Sequence, residues 1–154
     1  MHRYRFQTAA GVVLVAMFTT AVAISAQKNP YRHYTEDKFV QNMQSADRNY
    51  SAVNALIAKS DYEAAKAQLT RAREQMAITV TFWRDAKRDD AVAMLRKVLT
   101  GMDDLDIALG AEKVDPSMIA AASEHIGAAC QACHAAYREQ DPSTQAYRVR
   151  RLAQ

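Results

Sequence analysis

Cys130-Gln131-Ala132-Cys133-His134 is the stretch of this 154-residue chain in which residue type and spacing together specify a chemistry. The pattern is C-x-x-C-H, and Cys130 and Cys133 are the only two cysteines. Two thiols so spaced can each add to one vinyl group of a haem, and the histidine directly after them can give its imidazole nitrogen to the iron. Competing chemistries need more than the chain offers. A structural zinc site takes four nitrogen or sulfur ligands, usually from two such pairs. The remaining histidines are His2, His33 and His125, and there is no second cysteine pair. A thioredoxin-like dithiol follows a strand in a βαβ unit, whereas the residues around this motif read as helix. A disulfide within the pair is disfavoured, because positions i and i+3 of a helix rarely reach bridge geometry. The expected cofactor is one covalent haem c, held by Cys130 and Cys133 with His134 on its iron.

Haem attachment of this kind belongs to the export side of a membrane, and the N-terminus bears on that independently. His2, Arg3 and Arg5 form a basic start, Ala9 to Phe18 is apolar, and small residues follow at Ala21, Ala23, Ser25 and Ala26. That is the pattern of a secretory signal peptide, with cleavage after Ala23 or after Ala26. Thr8 to Ala26 is also 19 residues without a charge, close to the ~20 that span a bilayer. A retained N-terminal membrane anchor is therefore the alternative, although Thr19, Thr20 and Ser25 dilute the second half. Either way the rest of the chain is expected in, or facing, a bacterial periplasm. The organisation read from the sequence is a signal peptide or anchor at 1–26, an extended linker at 27–34, a helical domain at 35–140 and a C-terminal tail at 141–154.

Loss of residues 1–26 removes Arg3 and Arg5 from the 20 basic residues and none of the 17 acidic ones, leaving 18 against 17 and a net charge of +1. No clustered basic face of the kind that binds nucleic acid is present, and membrane contact is expected only if the N-terminal segment is kept. Within 35–140 Pro116 is the only proline and glycine is rare, so strands and tight hairpins have little support.

Four amphipathic segments follow one another at helical period. The first opens at Thr35, with Glu36 and Asp37 in its first turn, and carries Phe39, Met43, Ala46, Tyr50, Val53 and Ile57. Ser60 and Asp61 break it and can cap the second, which carries Tyr62, Ala65, Leu69, Ala72, Met76 and Val80 and runs to about Trp83–Ala86. The third starts near Arg88–Asp90, shows Val92, Leu95, Leu99, Met102, Leu105 and Leu109, and stops at Gly110. The fourth begins at Asp115-Pro116, an N-cap acid with proline at the first helical position. Its stripe is Ile119, Ala122, Ile126, Ala129, Cys133 and Tyr137, with Asp141-Pro142 as its end. Four such helices with short connections favour an all-α, antiparallel up-down four-helix bundle, with the haem motif deep in its last helix.

Helices of this length, with C-x-x-C-H in the last of them, resemble the class II c-type cytochromes, the cytochrome c prime group and its low-spin, methionine-ligated relatives. Cys130-Gln-Ala-Cys-His-Ala-Ala-Tyr-Arg138 is close to that family's C-x-A-C-H-x-x-Y-R, and the looser likeness covers about residues 35–140. The resemblance implies that the first helix supplies the side chain facing the iron opposite His134. An aliphatic residue or methionine there is followed by an aromatic seven residues on, a spacing that Met43 and Tyr50 match. Tyr137 and Arg138 would belong to the haem surroundings. The family often has an arginine four residues before the distal position, where this chain has Phe39; Arg48 or Arg138 would have to serve a haem propionate instead. Dimerisation through the first two helices is common in the family, so a homodimer is among the expectations.

The sixth coordination position then decides function. If the Met43 thioether fills it, the protein is a single-electron carrier between redox partner proteins, because His/Met ligation raises the potential and leaves no open site. If Met43 only packs, the iron is five-coordinate and binds nitric oxide or carbon monoxide. A retained anchor would make the chain a haem subunit of a larger membrane complex. Enzyme activity is not expected, since no acid/base constellation accompanies the iron. Of Met43, Met76, Met94, Met102 and Met118, only Met43 has both a core-facing phase and the position that the family resemblance gives the distal residue; His125 is on the same helix as His134, and His33 precedes the first helix. The acidic run Asp103, Asp104 and Asp106 is read mainly as a solvated helix face, with docking of a basic partner as the alternative.

Overall fold

A computed structural model describes residues 34–150. The expected signal peptide or anchor at 1–26, the linker up to residue 33, the last four residues, and His2 and His33 lie outside the described residues. What is described is mostly helical. α1 (Glu36–Ile57) starts where the Thr35 hydroxyl accepts from the Lys38 amide at 3.3 Å. α2 (Tyr62–Ile78) starts at Asp61, whose carboxylate accepts from the Ala64 amide at 3.2 Å. α3 is the six-residue piece Val80–Asp85. α4 (Asp89–Leu109) opens on two acids and ends against Gly110. α5 (Pro116–Tyr137) is capped by Asp115, which accepts from the Ser117 amide at 2.8 Å. In each capped case a side-chain oxygen satisfies an amide that has no partner within the helix.

The second helix does not run unbroken to Trp83–Ala86. It stops at Thr79, a fully buried residue whose hydroxyl donates to the Met76 carbonyl at 2.6 Å and whose amide turns to the same carbonyl. A hydroxyl that competes for a backbone carbonyl, set in the β-branched run Ile78-Thr79-Val80-Thr81, is enough to break the helical ladder.

The fully buried Val53, Leu69, Met102, Leu105 and Ile126 come from α1, α2, α4 and α5, so the four long helices share one core. α1 packs on α2, α2 on α4 and α4 on α5, whereas α1 and α5, the ends of that series, do not form a comparably close pair. At Gly101 α4 comes so near α5 that an added Cβ would stand 2.8 Å from Ile126. One end of the core is closed by rings: Trp83 meets Phe39, Phe82 and Tyr137 with centroids 5.1, 5.0 and 4.7 Å apart. Trp83 is 4% exposed, so Trp83→Ala is expected to lower stability by about 3–5 kcal/mol, read as the shift of the urea midpoint at constant slope.

The fourth helix was expected to continue to Asp141-Pro142, but it ends at Tyr137 and the chain becomes extended. β1 (Arg138–Gln140) pairs antiparallel with β2 (Tyr147–Val149), a hairpin across the boundary expected at 140/141. Its turn is organised by Asp141, which accepts from Ser143 and Thr144 amides at 2.9 and 3.0 Å. Arg150 explains the helix end. Its amide donates to the Tyr137 carbonyl at 2.8 Å and its guanidinium donates to the Ala135 carbonyl at 3.1 Å. Carbonyls at a helix end that lack intrahelical partners are thereby satisfied from thirteen and more residues away. Among the described residues no helix is long and apolar enough to cross a membrane.

Candidate functional site

Ser123, Gly127, Cys130 and His134 recur at 4-3-4 along α5 and therefore form one row on its surface. All four are half-buried, and Cys133 stands beside them with the same intermediate exposure. No disulfide joins the two cysteines. A Cβ built at Gly127 would meet no atom within 4 Å, so the helix borders open space one turn before Cys130. A flat group lying along the row would have room there.

Met43, Asp47 and Tyr50 recur at 4-3 along α1 and form the facing row. Phe39, Ala46 and Val53 point into the core and are buried, while Met43 and Tyr50 pack on the core's edge and remain half-buried. The two rows run in opposite directions. Tyr50 stands beside Ser123 and near Cys130, and the N-terminal end of α1 meets the far end of α5 through the hairpin, where the Val149 amide donates to Glu36 Oε1 at 3.0 Å. Met43 is midway between Glu36 and Tyr50, and Cys130 is midway between Ser123 and Tyr137. With equal rise per residue in both helices, Met43 stands level with the Cys130–His134 turn. Asp47, one turn on, is close enough to act electrostatically on both Cys130 and His134.

The electrostatics of the three motif residues separate the possible chemistries. Burial, then the neighbouring Asp47 carboxylate, raises the Cys130 thiol above its ordinary range. Burial, with Cys130 and Asp90 adding to it, pushes the Cys133 thiol up to about 11. A dithiol that exchanges disulfides needs the reverse, a thiol lowered by a helix N-terminus or a cation, and these two lie in the last turns of their helix. His134 is shifted down by burial and by Arg138, which favours the neutral imidazole that donates a lone pair to a metal. Among the described residues no three His, Cys, Asp or Glu side chains converge to hold a metal ion by themselves. Two thiols and a neutral imidazole on one face, with open space beside them and a thioether opposite, are a donor set whose chemistry fits a covalently attached haem.

Tyr137 anchors the end of α5 more than it lines the row. Its ring is buried against Trp83, its hydroxyl accepts from Arg88 Nη2 at 2.7 Å and donates to Asp90, and Arg88 holds Asp90 through both Nε and Nη2. Those two bonds hold the Asp90 carboxyl well below the usual carboxylate range. Arg138 is exposed and its guanidinium lies 4.4 Å over the Tyr147 ring. With His134, Glu139 and Arg150 these residues line a surface cleft of about 480 Å³ at the foot of α5.

The other candidates fall elsewhere. Met76 and Met102 are core residues of α2 and α4, Met94 packs at the core's edge and Met118 is exposed. His125 lies on the side of α5 that faces α4, beside Gly101 and in a groove with Ile107 and Met118. Arg48 donates to Ser45 on its own helix at 2.8 Å. In the acidic run, Asp103 pairs with Arg73 and Asp106 with Lys66, so both tie α4 to α2. Asp47, Ser123 and Gly127 went unnoticed in the sequence, although each is three, four or seven residues from a residue already singled out. Comparison with known proteins returns no match to a family model, a curated protein or a solved structure.

Proposed function

We propose that this chain is an extracytoplasmic c-type cytochrome, a four-helix bundle that carries single electrons through one haem c covalently attached to α5. The observation that carries the reading is the half-buried row Gly127, Cys130 and His134, with Cys133 at its side, opening onto space level with Met43. When bound, the haem supplies a ferric/ferrous couple. The chain's own residues do the rest. Cys130 and Cys133 would hold the macrocycle along α5 through thioether bonds, and His134 would give the iron an imidazole nitrogen. Met43 would give a thioether from α1, a donor that would favour the reduced iron and leave no place for external ligands. The aromatic closure around Trp83 keeps water from the end of the core, and the well-capped helices hold both donors still, which keeps the cost of changing charge low. The export-type N-terminus supports an oxidising compartment, and redox proteins are the partners that such a carrier serves.

The intact mass of the protein recovered from the periplasm tests this reading. A chain beginning after Ala23 or Ala26 and heavier by one haem is expected. A mass equal to polypeptide alone contradicts the attachment, and a haem-bearing chain that keeps residues 1–26 and fractionates with membranes replaces the free carrier with an anchored haem subunit.

A further inference from the structure

We infer that the C-terminal hairpin is a strap that ties α1 to α5 and sets the distance across which Met43 meets the iron, with Glu36 and Arg150 as its positioning residues; the inference rests on the haem reading above. α1 and α5 are the two long helices, adjacent along the candidate site, that do not pack closely on one another. Each is held from its other side, α1 by α2 and α5 by α4, so nothing in those contacts fixes the width of the space between them. The hairpin spans it at the end nearest the site. β1 continues directly from α5, β2 returns antiparallel to it, and β2 lies against α1. Val149 packs on the core and its amide donates to Glu36 Oε1 in the first turn of α1. The next residue, Arg150, closes the carbonyl end of α5 through Tyr137, Ala135 and Arg138. Val149, the last residue of β2, and Arg150 directly after it thus grip opposite helices, Met43 lying two turns beyond Glu36 and His134 one turn before Tyr137.

A thioether bond to iron forms or fails over a fraction of an ångström, so a strap at this place acts on coordination before it acts on folding. Glu36 bonds to the Val149 amide and Arg150 to carbonyls of α5 and β1, not to the thiols or the imidazole, and their effect is carried by the spacing of the helices.

The experiment compares full-length, haem-loaded wild type with Glu36→Ala, Glu36→Gln, Arg150→Ala and Met43→Ala. In Glu36→Ala and Arg150→Ala the ferric spectrum is expected to gain a high-spin component and the ferrous protein to bind carbon monoxide, with haem content and helicity kept. Amide exchange over residues 36–43 is expected to quicken by about tenfold, as the loss of one such hydrogen bond allows. Glu36→Gln keeps the acceptor oxygen and is expected to restore the wild-type spectrum, which a loss of helix-end charge alone would not allow. Glu36→Ala and Arg150→Ala indistinguishable from wild type in both spectrum and exchange would overturn the strap. A wild-type spectrum in Met43→Ala would instead overturn the ligand reading, and with it the distance the strap is said to set.

Discussion

Replacing Met43 with alanine is expected to turn a low-spin haem that ignores carbon monoxide into a high-spin haem that binds it. Met43 is half-buried at the core's edge, level with the Cys130–His134 turn, and among the described residues the other methionines are in the core of α2 or α4, at its edge, or exposed on α5. Alanine at 43 therefore leaves the distal position to solvent or gas. Loss of a thioether ligand lowers the reduction potential, on the order of 100 mV within the ~0.8 V that axial ligands span. Because the side chain is only partly enclosed, the folding cost should stay below the ~2–5 kcal/mol typical of a fully buried Met→Ala. Optical spectra of ferric, ferrous and carbonylated protein, with a potentiometric titration, measure all of this. An unchanged spectrum would assign the sixth position to another group.

Changing both Cys130 and Cys133 to serine is expected to abolish covalent attachment while leaving the haem pocket's axial donors in place. Haem should then be extractable into acidified acetone, and the pyridine haemochrome band should move to longer wavelength because both vinyl groups are conjugated again. Either single change should leave one thioether and an intermediate band. Both thiols are raised by burial and neither sits at a helix N-terminus, the reverse of the lowered thiol that disulfide exchange uses. Retention of covalent haem in the double variant would remove the motif from its assigned role. Without thioethers, retention follows mass action and depends on free haem concentration.

Local chemistry made the helix starts legible. Thr35, Asp61 and Asp115-Pro116 each cap as their types suggest, because a cap is a contact between residues two or three apart. The break at Thr79 was not legible, since the periodic stripe continues through it and only burial turns its hydroxyl onto Met76. The hairpin was missed for a related reason. Its turn places Gln145 at φ 58° where glycine or asparagine usually announces such a turn, and its anchors, Glu36 and Arg150, are more than a hundred residues apart in sequence. The candidate site divides in the same way. The five-residue motif was evident from spacing alone, whereas Asp47, Ser123 and Gly127 acquire meaning only when α1 and α5 are set side by side. A position that matters by leaving room, as Gly127 would beside a haem, gives no signal of its own in a sequence.

The most direct test of the central claim is the absorption spectrum of the purified wild-type protein, taken ferric, ferrous and ferrous under carbon monoxide. A c-type haem spectrum is expected, low-spin in both oxidation states, with the far-red sulfur-to-iron charge-transfer band in the ferric form and no change under carbon monoxide. A high-spin spectrum that shifts on adding the gas would contradict Met43 ligation and make the protein a gas-binding haem protein, and a protein without haem absorbance would contradict the claim altogether.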